Sequence, residues 1–246
     1  MRVGLVVPCY IDALFPEVGI ATLELLERLG VEVEYPFDQT CCGQPMANSG
    51  CEEDSRATEE HFVSLFSRFE YIVVPSGSCT HHIRNKFIAA EATAERDHVS
   101  AHTFDLVEFL HDILKVDKFP ATSFPHRVAL HNSCSAIRGI NMASMSERIH
   151  DAVFNKPKAL LQRVSGVEVV EFDRYDECCG FGGTFAATEE AVSSRMGYDK
   201  LGFMGAAKPE YVVSSDMSCL MHLQGCARRT NSPLKFIHIA QILNGV

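Results

Sequence analysis

Short apolar runs alternate with longer amphipathic segments along the 246 residues of the chain. Runs typical of strands occur at 2–7, 31–36 and 71–75, and again at 127–131, 167–172 and 211–216. Apolar residues at helical spacing predict helices over 17–29, 52–69, 143–163, 188–204 and 217–228, with closing helices over 104–115 and 235–244. Because strands that alternate with helices favour parallel sheets, the pattern predicts an α/β protein.

The order of predicted elements is the same in both parts of the chain. A segment rich in Pro, Ser and Thr at 119–126 separates them. We therefore predict two pseudo-symmetric Rossmann-like halves with mainly parallel sheets, at 1–120 and 121–246. Each half is long enough to bury a core of its own.

Composition narrows the class of protein. Hydrophobic residues make up 46% and charged residues 22%, as in ordinary globular proteins. Acidic residues outnumber basic ones by 32 to 22 and no basic run is present, so no nucleic-acid partner is expected. The apolar run at 3–8 is too short for an export signal, and no segment has the roughly 20 apolar residues of a membrane span. We expect a cytoplasmic protein without a transmembrane segment.

Eight of the ten cysteines follow one pattern written twice. Each copy has a single Cys, then a Cys-Cys-Gly triplet, then a Cys followed three residues later by His. The first copy is Cys9, Cys41, Cys42, Gly43, Cys79 and His82, and the second is Cys134, Cys178, Cys179, Gly180, Cys219 and His222. Two matched sets of thiols indicate two sites for a soft metal centre.

The thiols fall just beyond predicted strands. Parallel strands end at the same edge of a sheet, so residues far apart in sequence are expected to converge there. Gly43 and Gly180 let the backbone turn closely around a bound group, and we predict that they contribute to cofactor binding. Among polar residues without a matched counterpart, Asp12 and His81 lie near the first set and His131 near the second. We include His131 among the cofactor-binding candidates.

Sets of four thiolates select zinc or an iron–sulfur cluster. Structural zinc sites usually use closely spaced cysteine pairs, whereas three strand ends and vicinal cysteines suit a larger group, so a cluster is favoured over zinc. His82 and His222 are interpreted as fifth ligands, as hydrogen-bond donors to the cluster or as surface residues. We include both among the metal-ligand candidates because the offset is repeated.

Three alternative interpretations of the cysteines and glycines are less favoured. Disulfides are not expected in a chain of this size without an export signal. Burial as small hydrophobes explains single cysteines such as Cys51 and Cys226, which lie outside the pattern, but not two matched sets. The glycine-rich stretch at 180–183 is no dinucleotide motif, because Phe185 stands at the third glycine position.

Five segments resemble a known family: PCYIDALFPEVG (8–19), PFDQTCCGQP (36–45), SGSCTHHIR (76–84), HNSCSAIRGI (131–140) and CCGFGGTFA (178–186). They are similar to the lactate utilisation protein A family, and the cysteine sets resemble the CCG domain found twice in heterodisulfide reductase and in the iron–sulfur protein of glycolate oxidase. The resemblance implies a subunit of a three-protein system that oxidises L-lactate to pyruvate, together with a second iron–sulfur subunit and a third small subunit.

The resemblance also implies a cofactor. In the heterodisulfide reductase relative each set holds a noncubane [4Fe–4S] cluster with five cysteines, and in this chain His82 or His222 stands at the fifth position. The implied ligands are therefore the eight matched cysteines, and a cubane cluster or zinc stays open.

These observations together predict an iron–sulfur electron-transfer subunit of an L-lactate dehydrogenase complex, with up to one cluster per half. Two alternatives are a zinc-binding assembly subunit of the same complex and a thiol–disulfide reductase of the heterodisulfide reductase type. No catalytic residue is assigned, because neither a flavin nor a nicotinamide motif is present.

Overall fold

Two four-stranded sheets, each with all its strands parallel, form the centre of the protein. The computed structural model describes residues 1–119 and 122–245. The first sheet has the order β2-β1-β3-β4, with β1 Arg2–Leu5, β2 Glu32–Glu34, β3 Tyr71–Val74 and β4 Thr103–Asp105. The second has the order β6-β5-β7-β8, with β5 Arg127–Leu130, β6 Glu168–Val170, β7 Tyr211–Ser214 and β8 Lys235–His238. The predicted α/β class with two similar halves is confirmed.

Helices connect and cover the strands. In the first half they are α1 Cys9–Leu14, α2 Pro16–Arg28, α3 Gln44–Asn48, α4 Arg56–Phe66, α5 Gly77–Asn85, α6 Ala94–His102 and α7 Leu106–Glu108. In the second half they are α8 Lys156–Leu161, α9 Phe185–Thr188, α10 Glu190–Ala206, α11 Met217–Arg229 and α12 Ile239–Asn244. A 3₁₀-helix at Glu52–Ser55 and π-helices at Phe109–Ile113 and Ser135–Gly139 complete the helical segments. Within the described ranges, no helix has both the length and the apolar character to span a membrane.

The closing segment of each half begins as a strand, so the helices predicted from 104 and 235 start too early. β4 pairs with β3 and β8 pairs with β7, because each of those strands has a free edge whose backbone groups need partners. The helix follows only after a capping residue, Asp105 in the first half and His238 in the second. Both sheets thus gain an edge strand that the sequence pattern does not predict.

The helix predicted over 143–163 is wrong in its first part. Ala143 and Asn155 form an isolated antiparallel bridge, and α8 begins only at Lys156. The side chain of Asn155 caps α8 by accepting a hydrogen bond from the Lys158 N–H at 3.0 Å. Capping by an Asn at this point fixes the start of the helix later than its apolar periodicity indicates.

One hydrophobic core extends through both halves. It contains Leu25 and Leu26 of α2 together with Ile242 and Leu243 of α12. The two helices pack against each other, so the end of the second half covers the first half. In the same way α7 of the first half packs against α8 of the second. The predicted boundary between residues 120 and 121 lies outside the described residues.

Backbone hydrogen bonds just beyond the central strands define how the halves correspond. The Val6 N–H donates to the Val73 carbonyl at 2.9 Å, and the His131 N–H donates to the Val213 carbonyl at 2.7 Å. Val6 and His131 therefore occupy equivalent positions. Counting along the strands gives three further pairs, which are Cys9 with Cys134, Ser76 with Asp216, and Asp105 with His238.

Candidate metal sites

The matched cysteines lie where strands end and helices begin. Cys9 is the first residue of α1, shortly after β1, and Cys79 and Cys219 lie in the first turns of α5 and α11. The two CCG triplets follow β2 and β6. In each sheet the chain leaves the central strand first toward one edge and then toward the other. Open parallel sheets bind ligands at this crevice.

Both cysteine sets line a single cavity of about 970 Å³. Its wall includes all eight matched cysteines, namely Cys9, Cys41, Cys42, Cys79, Cys134, Cys178, Cys179 and Cys219. The sequence predicts convergence within each half, and the structure in addition brings the two sets to one space. Neither Cys51 nor Cys226 is among the described residues of that wall, in agreement with their exclusion from the pattern.

Burial differs among the cysteines of each set in the same order. The second triplet cysteine and the last cysteine are buried, the first triplet cysteine is half-buried, and the single leading cysteine is exposed. None of the ten cysteines, all of which lie in the described part of the chain, forms a disulfide. Each set therefore presents thiols at graded depth from the cavity rim to its floor.

The thiols are close enough to change one another's acidity. Hydrogen bonds from Cys42 and Cys9 lower the pKa of Cys41 to about 2. The thiols of Cys9 and Cys42 have raised pKa values, mainly because they hydrogen-bond to Cys41. Several thiolates at such short separation need a cation to balance their charge, because like charges in a partly buried site repel strongly.

In the second set, by contrast, all four thiols have raised pKa values. A hydrogen bond to Cys178 and burial raise the pKa of Cys134. The pKa of Cys219 is raised to about 11, since the lowering effect of its hydrogen bond with Cys179 is outweighed by burial and by Asp216. The donor types and their crowding in both halves therefore fit a thiolate-bound metal ion or iron–sulfur cluster.

Each CCG triplet turns its backbone toward its own sulfur. The glycine φ angles are +89° at Gly43 and +94° at Gly180, in the left-handed region that favours glycine. Their N–H groups donate to Cys41 Sγ at 3.4 Å and Cys178 Sγ at 3.3 Å respectively. The predicted close turn is present in both halves, and it presents an N–H donor to a thiolate. A direct role of the two glycines in cofactor binding stays a prediction.

His82 and His222 lie behind the CCG turns and are not among the described residues that line the cavity. A Cβ on Gly43 would lie 3.7 Å from His82 Nε2, and one on Gly180 would lie 3.4 Å from His222 Nε2. His82 is fully buried 3.9 Å from Glu59, and burial lowers its pKa to about 4. Both histidines thus pack against the glycines of the CCG turns. Metal ligation by them stays a prediction.

His131 lies beside the buried thiols of the second set and, like His82 and His222, is not among the described residues that line the cavity. One ring nitrogen of His131 and the Sγ atoms of Cys179 and Cys219 all lie within 4.8 Å of one another. The side chain is fully buried, and burial lowers the pKa of the imidazole well below its ordinary value. A neutral imidazole has a free nitrogen lone pair, so this group has the donor types of a soft metal site.

Asp216 joins the two halves at the cavity, although the sequence analysis places it only at the end of a strand. Its buried carboxylate accepts from the Ser78 N–H at 2.8 Å, the Ser218 hydroxyl at 2.6 Å and the Tyr10 hydroxyl at 3.3 Å. It thereby caps α11 and also satisfies an N–H in the first turn of α5 in the other half. The available signal was an Asp directly before a helical segment, which is a typical N-cap.

Cationic groups of both halves lie on the cavity wall. Lys86 comes from the first half and Arg138 from the second. His81 of the first half also lines the wall, and burial lowers the pKa of its imidazole. The His81 ring packs directly against the backbone of Gly139, where a side chain would not fit, since a Cβ on Gly139 would lie only 2.3 Å from His81 Nδ1. Asp12, the other unmatched polar candidate, is exposed and is not among the described residues of the wall. The wall thus combines soft thiols with positive charge.

Comparison with known proteins agrees with the repeat. The family model of the CCG cysteine-rich domain matches residues 3–84 and 128–224, one range in each half. The chain belongs to the CCG cysteine-rich domain family. It is 38% identical to lactate utilization protein A of Geobacillus kaustophilus (strain HTA426), over 99% of both chains. It is 33% identical to lactate utilization protein A 2 of Bacillus cereus (strain Q1), over 99% of this chain and 98% of that one.

The resemblance inferred from the sequence is therefore confirmed. Among solved structures, glutamate racemase isoform RacE1 from Bacillus anthracis aligns over 99% of this chain and 78% of its own. Its TM-score is 0.37 at 12% sequence identity, a likeness too weak to inform fold or function.

Proposed function

We propose that this protein is the redox subunit of a multi-subunit system that oxidises L-lactate to pyruvate, with one iron–sulfur cluster in each half. The arrangement of two matched thiol sets on one cavity supports this proposal most strongly. The names of its relatives support the link to lactate utilisation. A cluster bound by cysteines would carry one electron at a time, and two such centres could pass on the two electrons that are released when lactate is oxidised to pyruvate.

The residues of this chain hold and tune such a group. The eight matched cysteines are the ligands, and the N–H groups of Gly43 and Gly180 donate to sulfur. The first turns of α5 and α11 direct the positive ends of helix dipoles toward the thiolates. These donors favour the thiolate form and stabilise the negative charge of a bound cluster.

Sharing one cavity allows an electron to pass between the two centres within this protein. It also leaves an open face through which a partner exchanges electrons. We propose a second iron–sulfur subunit and a third small subunit as these partners, and the cytoplasm as the compartment. Free thiols throughout the chain are compatible with a reducing environment.

Analysis of anaerobically purified protein tests the proposal. Iron and acid-labile sulfide should be present in similar amounts, and EPR should detect a reducible cluster. Cys42→Ser should remove the metal of the first half and impair lactate-dependent growth, because a hydroxyl replaces a thiolate poorly. Cys51→Ser is the matched control, since Cys51 is exposed and outside the cavity wall. Equal metal loss in both variants would show that the ligands are misassigned.

Zinc is the second candidate, because His131, Cys179 and Cys219 form a compact group of a kind that suits a single ion. A preparation that contains zinc and no iron would refute the redox proposal and favour a structural role in assembly.

A further inference from the structure

We propose that His131 is a metal ligand of the second half and that the two centres therefore differ in ligand set and reduction potential. This inference rests on the metal sites of the proposed function and assigns one of their ligands. The matched cysteines imply equivalent centres, whereas the buried surroundings of the two sets are different.

The ring nitrogens of His131 have no hydrogen-bond partner in the described part of the chain. The side chain, including both Nδ1 and Nε2, is completely buried. Burying an unpaired polar group destabilises the folded protein, so a compensating bond to the imidazole is expected in this position. A metal centre bound by Cys179 and Cys219 would provide this bond, because one ring nitrogen of His131 and the two Sγ atoms all lie within 4.8 Å of one another.

The backbone fixes His131 in this position. Its N–H donates to the Val213 carbonyl at 2.7 Å, which holds the residue at the end of β5 beside β7. Because Cys219 lies in the first turn of α11, directly after β7, the imidazole and this thiol approach from neighbouring strands. Two of the three members of the group are therefore positioned by the sheet and the helix that follows it, and Cys179 is contributed by the CCG turn.

The first half has an apolar residue at the equivalent position. Val6 makes the same backbone hydrogen bond, to Val73 at 2.9 Å, and its side chain cannot bind a metal. In the second half the close group of donors includes a nitrogen, whereas the described residues of the first half form no such group. An imidazole that takes the place of one thiolate of the set leaves the second centre with one negative charge less, which raises the reduction potential of a cluster. An electron shared between the centres should therefore reside mainly in the second half.

Pulsed EPR on the full chain tests this ligand. Protein with the Cys42→Ser substitution isolates the second centre, and labelling with ¹⁵N-histidine identifies any nitrogen coupled to it. We expect a nitrogen hyperfine coupling that changes with the isotope, disappears in His131→Val and persists in the matched control His222→Ala. Absence of the coupling in protein that retains His131, or its loss only in His222→Ala, would overturn the proposal.

Two further measurements make the result independent of folding and of the metal. His131→Cys retains a ligand, and its second centre should have a lower midpoint potential than that of the unsubstituted protein; an unchanged or higher potential contradicts the inference. If purified protein contains zinc instead of iron, the redox function fails, and X-ray absorption at the zinc edge then tests His131 directly. Imidazole scattering that is lost in His131→Val supports ligation, and sulfur-only coordination refutes it.

Discussion

Protonation of His238 is expected to limit the stability of this protein in mildly acidic solution. His238 is fully buried at the end of β8, and its Nδ1 accepts a hydrogen bond from the Ala240 N–H at 3.2 Å, which caps α12. Protonation would remove this acceptor and place a charge in the core. Burial lowers the pKa of His238 to about 4.

The size of the effect follows from proton linkage. In the unfolded chain the pKa of a histidine is about 6.5. Between about pH 6.5 and about pH 4 the unfolded state binds more protons than the folded state, so the free energy of unfolding falls as the pH decreases. At about pH 5 the unfolded-state pKa lies about 1.5 above the pH, and at about 1.36 kcal/mol per pH unit the loss attributable to His238 is about 2 kcal/mol.

Urea unfolding at about pH 7 and about pH 5 measures this loss. His238→Asn keeps a residue that caps helices but does not titrate, so acidification should destabilise it by about 2 kcal/mol less than the unsubstituted protein. His150→Asn is the control, because His150 is exposed, and its pH dependence should match that of the unsubstituted protein. Equal pH dependence of the unsubstituted protein and His238→Asn would refute the reasoning.

Three further perturbations probe the cavity. Asp216→Ala removes the acceptor of the Ser78 N–H and should lower the free energy of unfolding by about 1–3 kcal/mol in urea titrations; an unchanged value would contradict its role in joining the halves. Gly139→Ala would place a Cβ 2.3 Å from His81 Nδ1 and should destabilise, with much of the loss recovered when His81→Ala is added. His82→Ala should shift the EPR signal or midpoint potential of the first centre; an unchanged spectrum and potential would identify His82 as a bystander.

The sequence predicts six of the eight described strands and the grouping of the thiols because both are local or periodic signals. Six runs of apolar residues identify the strands, and the two CCG triplets identify the sets. The edge strands β4 and β8 escape this approach because only pairing with β3 and β7 distinguishes them from the helices that follow. Contacts between the halves escape it as well, since they depend on tertiary packing.

Individual site residues show the same division. Gly43 is predictable, because its place after two cysteines requires a tight turn. The N-cap that Asp216 provides for α11 is predictable as well, but its hydrogen bond with the Ser78 N–H of α5 is not, because that bond depends on how the two halves meet. The contrast between His131 and Val6 is visible in sequence only once the backbone pairing aligns the halves. The common cavity is likewise invisible to a pattern that treats each set separately.

The reciprocal packing of the terminal helices has a consequence for how this architecture can be divided. The matched family ranges end at residues 84 and 224 and so omit β4, α7, β8 and α12. Yet α12 covers α2, and α7 covers α8, across the two halves. A fragment that ends at either family boundary would expose apolar surface that the other half covers in the whole protein. The duplicated unit is therefore an inherited pattern of sequence and not a portable module, and the two copies should melt in one cooperative transition.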